Sequence, residues 1–362
     1  MLHPDRLALA RKRRGLTKRA LAETLGVAPL TLTRYEKGDT LPSPEQIDRL
    51  AEALGFPSAF LTGTDIDQPR RENASFRGMA SMLARERDAA LAAGAIAFLL
   101  SDWVEERFDL PDPDVPDLRG ERPQAAARAL REHWGLGEKP IKDLVRLLEA
   151  KGVRVFSLAE RTRGVDAFSL WRRGRPFAFL NTLKSAEHGR FDAAHELGHL
   201  VLHRHGAPQG RTAEDEANAF ASSFLMPSAD VLAVLPRPRS LDQIAGAKKR
   251  WGVSVAALNY RLHKLGATTD WQYRTFCIEL QRRGWREREP DGMERERSVV
   301  WGKVLTALWR ERVTRADIAR ELSVPPGEID GLLLGFASGS GPEIGGAGPR
   351  LVWDVEGKRR TG

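Results

Sequence analysis

Apolar residues recur every three to four positions over the first part of the chain, a spacing typical of short amphipathic helices. Thr17 and Ser43 are good N-cap residues for two of these helices. Gly26 is a good C-terminal stop between the second and the third. A short fifth turn fits between Pro57 and Thr62. The pattern therefore predicts a small five-helix domain over residues 1–62.

Residues 63–122 predict a linker followed by a helical connector. The first part, to about residue 77, has Gly, Asp, Pro and charge without periodicity. Apolar residues at helical spacing over 79–108 predict one long helix or two, with packing as their role. Four prolines between 110 and 123 then predict a loop.

Residues 123–268 predict a compact α+β domain that is mostly helical and contains a short sheet. Val153–Phe156 has the composition of a strand, and Ala167–Trp171 with Pro176–Leu180 predicts a hairpin around Gly174. An apolar run without proline follows and predicts a long helix from about residue 191.

Residues 269–362 predict a helical C-terminal region with a flexible tail. The mixed charges of 282–297 are typical of a solvated connection. Gly and Ser dominate 335–349 and predict the flexible part. Amphipathic runs that predict a small helical module lie between them, at 299–308, 315–322 and 326–333.

Composition places this chain of 362 residues among ordinary globular proteins, with 41% hydrophobic and 29% charged residues. Its length suffices for two or three domains. Cys277 is the single cysteine, which excludes an internal disulfide and a thiolate metal cluster. The most apolar run, 89–100, is too short to span a bilayer, and no apolar segment typical of a signal peptide follows the first basic residues. These features predict a cytoplasmic protein without membrane contact.

Positive charge is concentrated at the N-terminal end, where residues 1–41 hold nine Lys or Arg against four acidic residues. Together with the short helices and Gly26, this excess predicts a helix-turn-helix domain that binds DNA through its phosphates. Arg34 is suited to guanine, whereas Pro29 and Leu30 predict either poor base readout or readout through contact with thymine methyl groups. The alternative is a small helical domain for protein contacts. The candidate DNA-binding residues are Lys18, Arg19, Thr31, Thr33, Arg34 and Lys37.

The most specific motif is H-E-x-x-H at residues 195–199. Residues four apart lie on the same face of a helix, so His195 and His199 can direct their imidazoles to one point. Two imidazoles suit Zn²⁺, and Glu196 is then placed to act as general base for a hydrolytic water. The motif predicts a metal centre with one zinc ion per chain.

A catalytic zinc ion needs a third protein ligand, and three residues are candidates. Glu214 is our first choice, because it begins a second amphipathic helix that Pro227 ends. Glu216 is the second choice. His205 is the third, since Leu202 stands where a glycine would turn the chain back toward the metal.

These motifs together resemble the ImmA/IrrE family of bacterial zinc metallopeptidases. The resemblance lies in Arg190–Phe191-x-x-Ala194–His195–Glu196–Leu197–Gly198–His199, in Glu214-x-x-Ala217–Asn218-x-Phe220–Ala221 and in Leu225–Met226–Pro227. It covers about residues 120–265. Residues 1–62 resemble the Xre/Cro helix-turn-helix domains that a subset of this family carries, through Leu21–Ala22, Leu25–Gly26–Val27 and Tyr35–Glu36–Lys37–Gly38.

The resemblance implies a zincin-like domain in which His195, His199 and Glu214 bind one zinc ion and Glu196 is the general base. It also implies that the substrate is a repressor or an antitoxin-like protein, with its own helix-turn-helix, whose cleavage changes transcription. By analogy with Xre-type domains we expect a homodimer on a DNA operator. The competing hypothesis is a transcriptional regulator whose zinc pocket is sensory or structural, without proteolysis.

Overall fold

The computed structural model describes residues 1–70, 74–76, 83–158, 166–204, 210–337 and 350–351. The chain divides into two compact units. Unit 1 comprises 1–111, 156–166 and 299–362, and unit 2 comprises 112–155 and 167–298. Both ends of the chain therefore belong to unit 1. The predicted His205 and most of the predicted flexible stretch 335–349 lie outside the described residues.

Helices dominate the described chain and are accompanied by a four-stranded and a two-stranded sheet, which confirms the predicted mostly helical α+β class. The helices of the first part are α1 Pro4–Arg13, α2 Lys18–Leu25, α3 Pro29–Lys37, α4 Pro44–Leu54, α5 Ser58–Leu61, α6 Ala84–Glu105, α7 Pro123–His133 and α8 Leu144–Ala150. The later helices are α9 Ala186–Leu202, α10 Arg211–Leu225, α11 Ser228–Val234, α12 Leu241–Ala247, α13 Val255–Lys264, α14 Asp270–Arg282, α15 Val299–Arg310, α16 Arg315–Glu321 and α17 Pro326–Ala337. The strands are β1 Ser75–Phe76, β2 Phe108–Asp109, β3 Arg154–Ser157, β4 Ala167–Arg172, β5 Arg175–Leu180 and β6 Arg350–Leu351.

The first five helices end where the sequence predicts, because their boundaries are specified locally. Thr17 accepts a hydrogen bond from the backbone of Ala20 at the start of α2. Ser43 and Gln46 form a reciprocal capping box at the start of α4. Gly26 follows α2 in the left-handed conformation, with φ of 69°, which only glycine adopts without strain. The turn between α2 and α3 is therefore specified by sequence.

Unit 1 joins these five helices to α6 and to the last helices of the chain. Helix α1 packs against α6, and α17 packs against α6 and α16. Glu328 on α17 is 4% exposed and binds two arginines at the C-terminal end of α1. Arg13 Nε, on the last residue of the helix, lies at 2.6 Å, and Arg14 Nη1, on the residue that follows, lies at 2.7 Å. The C-terminal module thus contacts the N-terminal helices directly through a buried carboxylate.

In unit 2, the metal-motif helix lies against the hairpin formed by β4 and β5. The strands are antiparallel, from Ala167 opposite Leu180 to Arg172 opposite Arg175, and β5 lies between β4 and β3. Helix α9 packs against both hairpin strands, while α10 packs against α9 and α7. The sheet and α10 therefore cover two sides of α9.

The charged segment 285–298, which we call the strap, is only in part the solvated connection that its composition predicts. Glu296 pairs with Arg190 on α9, and both side chains are at least nine-tenths buried. Glu289 accepts from the backbone of Val255 at 3.2 Å and lies 3.4 Å from Lys248, a lysine 1% exposed. The prediction fails at Glu289 and Glu296, because these two carboxylates have buried partners that are distant in sequence. Most of the other charged residues are exposed as predicted, among them Arg286, Glu287, Arg288, Glu294 and Arg297.

Across the described residues, no helix has both the length and the apolar character that a bilayer crossing requires.

Candidate metal centre

The side chains of the H-E-x-x-H motif are buried on helix α9. Ser185 caps it by accepting a hydrogen bond from the backbone of His188. The motif begins ten residues after this cap, well inside the helix. His195 is 0% exposed and His199 is 4% exposed, although imidazoles are seldom buried without partners. Both rings must therefore be explained by what they contact.

A glycine between the two histidines allows the second helix to approach. A β-carbon on Gly198 would lie 3.1 Å from Phe220 Cδ1 and 3.3 Å from the α-carbon of Ala217, closer than ordinary contact. Ala217, Phe220 and Ala221, which belong to the apolar stripe that the sequence predicts for α10, are fully buried. This close packing places the first turn of α10 beside the imidazoles of α9.

Three predicted ligand atoms converge there. His195 Nε2 and His199 Nε2 are 3.0 Å apart. Glu214 Oε2 lies 3.5 Å from the first of these nitrogens, and Glu214 Oε1 lies 3.4 Å from the second. A tetrahedral zinc ion with bonds of about 2.0–2.1 Å separates its ligand atoms by about 3.3 Å. The donor types and their spacing therefore fit one such ion.

The charge state of Glu214 also suits a ligand. Burial alone would raise the pKa of this carboxyl, but hydrogen bonds and charge interactions with His195 and His199 outweigh burial and lower the pKa to about 2. The Glu214 side chain is 27% exposed, so solvent reaches the converging group at this carboxylate. Glu214 is therefore an anion at neutral pH.

Each histidine turns its other nitrogen to a partner. His195 Nδ1 lies 3.0 Å from Asn218 Oδ1, on the turn of α10 that follows Glu214. His199 Nδ1 lies 2.8 Å from His203 Nδ1, and His203 Nε2 lies 2.9 Å from Glu216 Oε2. Burial lowers the pKa of His203. Glu216, the alternative third ligand, thus contacts His203, whereas Glu214 joins the converging group.

Glu196 lies on another face of α9, toward the sheet. It is 0% exposed, and Ser169 of β4, itself 2% exposed, lies 2.6 Å from Glu196 Oε2. The same hydroxyl oxygen is 3.2 Å from the backbone oxygen of Glu196. The hydroxyl donates to the carboxylate, and this contact orients the side chain.

Sequence reasoning did not assign roles to Ser169, Asn218 or His203 as partners of the motif. Asn218 had a usable signal, because it stands four residues after Glu214 and so shares its face of α10. Likewise His203 stands four residues after His199. Ser169 had none, since its contact depends on how β4 packs against α9.

The predicted DNA-binding residues lie on α2 and α3 and are at least partly exposed. Arg34 and Lys37 are exposed, as is Arg19, which pairs with Glu23 on the same helix. Lys18 Nζ is 3.1 Å from Glu36, a buried carboxylate that also binds Arg11. Thr31 is partly exposed, and Thr33 donates its hydroxyl hydrogen to the backbone oxygen of Pro29.

Comparison with known families agrees with both parts of this description. Residues 148–263 match the family model described as the IrrE N-terminal-like domain of the M78 peptidases. Residues 7–61 match the helix-turn-helix family. No curated protein matches the chain.

The peptidase match spans α9 and α10, the two helices that carry the converging ligand atoms, and the other match spans the five N-terminal helices. Over these two ranges, the chain therefore matches a helix-turn-helix domain fused to an ImmA/IrrE-type domain.

Proposed function

We propose that the protein is a zinc-dependent endopeptidase that cleaves a partner repressor or antitoxin-like protein and thereby controls transcription. One observation carries the proposal: two buried imidazoles and an ionised carboxylate converge at separations of 3.0–3.5 Å, and the residue directly after the first histidine, Glu196, is a buried carboxylate. A structural site has no use for that extra acid, whereas a hydrolytic site needs a general base.

His195, His199 and Glu214 would hold the ion, one per chain. Two nitrogens and one oxygen are the donor set of many catalytic zinc sites, which keep a fourth position open. Mg²⁺ and Ca²⁺ prefer oxygen ligands and more of them, so two imidazoles disfavour both ions. The donor chemistry therefore supports zinc.

When bound, a zinc ion lowers the pKa of water to about 7 and polarises a carbonyl group. Glu196 accepts a proton from the attacking water and later delivers a proton to the leaving amine nitrogen. Ser169 holds the carboxylate of Glu196 in one orientation during both transfers, because its hydroxyl donates to Oε2. Asn218 and His203 orient the imidazoles of His195 and His199 by contacting their Nδ1 atoms.

The helix-turn-helix domain would direct this activity to an operator. We propose that Lys18, Arg19 and Lys37 contact phosphates and that Thr31, Thr33 and Arg34 face the major groove. Their exposure on α2 and α3 supports this, as does the local excess of positive charge. The substrate would be a protein with a helix-turn-helix of its own, and the chain would act as a homodimer.

The test is Glu196→Gln in the full chain. The amide keeps the size of the side chain but cannot accept a proton, so cleavage should fall at least 100-fold, the contribution of about 10²–10⁴ that general bases make. Zinc content and DNA affinity should not change. Cleavage of a helix-turn-helix protein encoded beside this chain's gene is followed by mass spectrometry of the products.

Asp215→Asn is the matched control, because Asp215 is an exposed carboxylate, 73% accessible, on the first turns of α10. It should cleave like the wild type. If Glu196→Gln still regulates transcription as the wild type does, regulation does not depend on proteolysis. The protein would then be a DNA-binding regulator with a sensory or structural metal pocket.

A further inference from the structure

We propose that His203 and Glu216 form a hydrogen-bond relay that fixes the tautomer of His199 and so raises the affinity of the centre for its metal. The inference rests on the proposed metal centre, adds Glu216 to it as a positioning residue and gives the contact of His203 a specific role. Neither residue is among the ligands that the proposed function uses.

The relay is a continuous line of short contacts that leads away from the centre. His199 Nδ1 is 2.8 Å from His203 Nδ1, and His203 Nε2 is 2.9 Å from Glu216 Oε2. The side chain of His203 is 3% exposed, so this imidazole lies in a largely dry setting. Glu216 is 39% exposed and forms the outer end.

The protons along this line are determined by its outer end. A carboxylate only accepts hydrogen bonds, so His203 must carry its proton on Nε2. The Nδ1 atom of a neutral His203 is then an acceptor, which requires that His199 carry its proton on Nδ1. The lone pair of His199 Nε2 consequently faces His195 and Glu214, where a metal ion would bind.

The opposite tautomer would block the centre. A proton on His199 Nε2 would point into the space between the ligand atoms, and metal binding would first have to move it. Hydrogen bonds from ligand histidines to acceptors behind them restrict this choice and increase the basicity of the ligand nitrogen. A relay that ends in an anion should do both.

The two histidines of the motif differ in this respect. His195 Nδ1 meets Asn218 Oδ1, a neutral amide oxygen, in a single step. His199 instead meets a second imidazole that ends at a carboxylate. The relay therefore places a carboxylate at the end of the line of contacts that begins at His199 Nδ1.

Helix geometry separates the roles of the two glutamates on α10. Residues two apart on a helix do not share a face, so Glu214 and Glu216 diverge by about 200° around the axis. Glu214 reaches the Nε2 atoms of the motif, while Glu216 reaches the far side of His203. In such a centre, Glu214 is a ligand of the metal, and Glu216 is the anchor, the final hydrogen-bond acceptor of the relay.

The experiment measures the zinc dissociation constant of the full chain by competition with a chromophoric chelator. Glu216→Ala removes the final acceptor and should weaken zinc binding about 10–100-fold, as loss of such partners does. Glu216→Gln keeps an acceptor oxygen without the charge and should give an intermediate value. Asp215→Ala, the adjacent exposed carboxylate, should bind like the wild type.

A second comparison separates the relay from general damage to α10. His203→Ala with Glu216→Ala should bind zinc no more weakly than His203→Ala alone, because the anchor acts only through that imidazole. The unfolding midpoint of the metal-free protein should stay equal in Glu216→Ala and Asp215→Ala. Co²⁺-loaded Glu216→Ala should keep the wild-type absorption spectrum, since the ligand atoms do not change.

Equal zinc affinity in Glu216→Ala and Asp215→Ala would overturn the relay, as would additive losses in the double variant. A changed Co²⁺ spectrum in Glu216→Ala would also overturn it, since Glu216 would then be a ligand. If the wild type itself binds no zinc, both the relay and the proposed function fail. A wild type that binds zinc normally beside an unaffected Glu216→Ala would refute the relay alone.

Discussion

The three polar residues of the motif each contact their partners through identifiable atoms. His195 and His199 present Nε2 to the centre and Nδ1 to Asn218 and His203. Glu196 presents Oε2 to a hydroxyl on the neighbouring strand. Buried polar groups are costly without such partners, so these contacts stabilise the unit as well as arranging its chemistry.

The contact of Ser169 with Glu196 should affect the rate of the chemical step. Ser169→Ala should lower kcat by about tenfold, because the general base loses the donor that orients it. KM and zinc content should not change, since Ser169 contacts neither a ligand nor the converging atoms in the proposed centre. Steady-state kinetics with metal analysis on the same samples measure all three quantities.

Ser101→Ala is the control for that variant. Ser101 is also 2% exposed and its hydroxyl also binds a glutamate, Glu105 at 3.2 Å, but it lies on α6 in unit 1. Its kcat should equal that of the wild type. An unchanged kcat in Ser169→Ala would show that Glu196 needs no positioning by the strand.

At the residue scale, the sequence predicts what depends on local spacing. H-E-x-x-H on a helix requires only the helical period, and Glu214 follows from a second amphipathic run. The choice between Glu214 and Glu216 could not be made from spacing alone, because it depends on the rotation of α10 about its axis. That rotation follows from which residues α10 buries against α9.

At the element scale, the approach of α10 to α9 depends on Gly198. Gly198→Ala should weaken zinc binding several-fold, because the added methyl meets Phe220 at 3.1 Å and pushes α10, with Glu214, outward. Overpacking of this kind costs about 1–3 kcal/mol, more than the gain of about 1 kcal/mol in helix propensity. Chelator competition and thermal unfolding measure the two effects.

Gly246→Ala is the matched control, since Gly246 lies in helix α12 and a β-carbon added there would meet nothing within 4 Å. It should be as stable as the wild type or slightly more so, with unchanged zinc affinity. If Gly198→Ala stabilised the protein as much as Gly246→Ala does, the interface between α9 and α10 would accommodate the methyl group, and the predicted overpacking would be refuted.

The buried charge pairs of the strap could not be predicted from its sequence. Its alternating charges have the pattern of an exposed segment, and no local rule distinguishes them from one. In the structure, Glu289 reaches Lys248, and Glu296 reaches Arg190, which stands 106 positions earlier in the chain. Arg190 is so deeply buried that desolvation lowers the pKa of its guanidinium to about 10.

At the scale of the whole molecule, the chain order does not match the order of the units. Unit 1 contains the first 111 residues and everything from Val299 on, so all of unit 2 lies between these two parts of unit 1 along the chain. Glu328 joins those parts through Arg13, 315 positions earlier. Helix boundaries and the class of fold follow from periodicity, but a pairing across that distance does not.

The fusion of two domains bears on the choice of substrate. A helix-turn-helix domain and an ImmA/IrrE-type domain in one chain combine a DNA-binding fold with a metallopeptidase fold. Under the proposed function, operator binding would bring the peptidase near other proteins that read the same DNA. Effective concentration would then favour cleavage of a repressor over unrelated proteins.

The most direct test is metal analysis of the purified full chain by mass spectrometry, with Glu214→Ala and Asp215→Ala measured alongside. We expect one zinc ion per chain in the wild type and in Asp215→Ala. In Glu214→Ala, where a ligand is lost, we expect a marked loss of zinc after dialysis against a weak chelator. A wild type without zinc, or Glu214→Ala that retains a full equivalent, would contradict the metal centre on which the proposed hydrolysis depends.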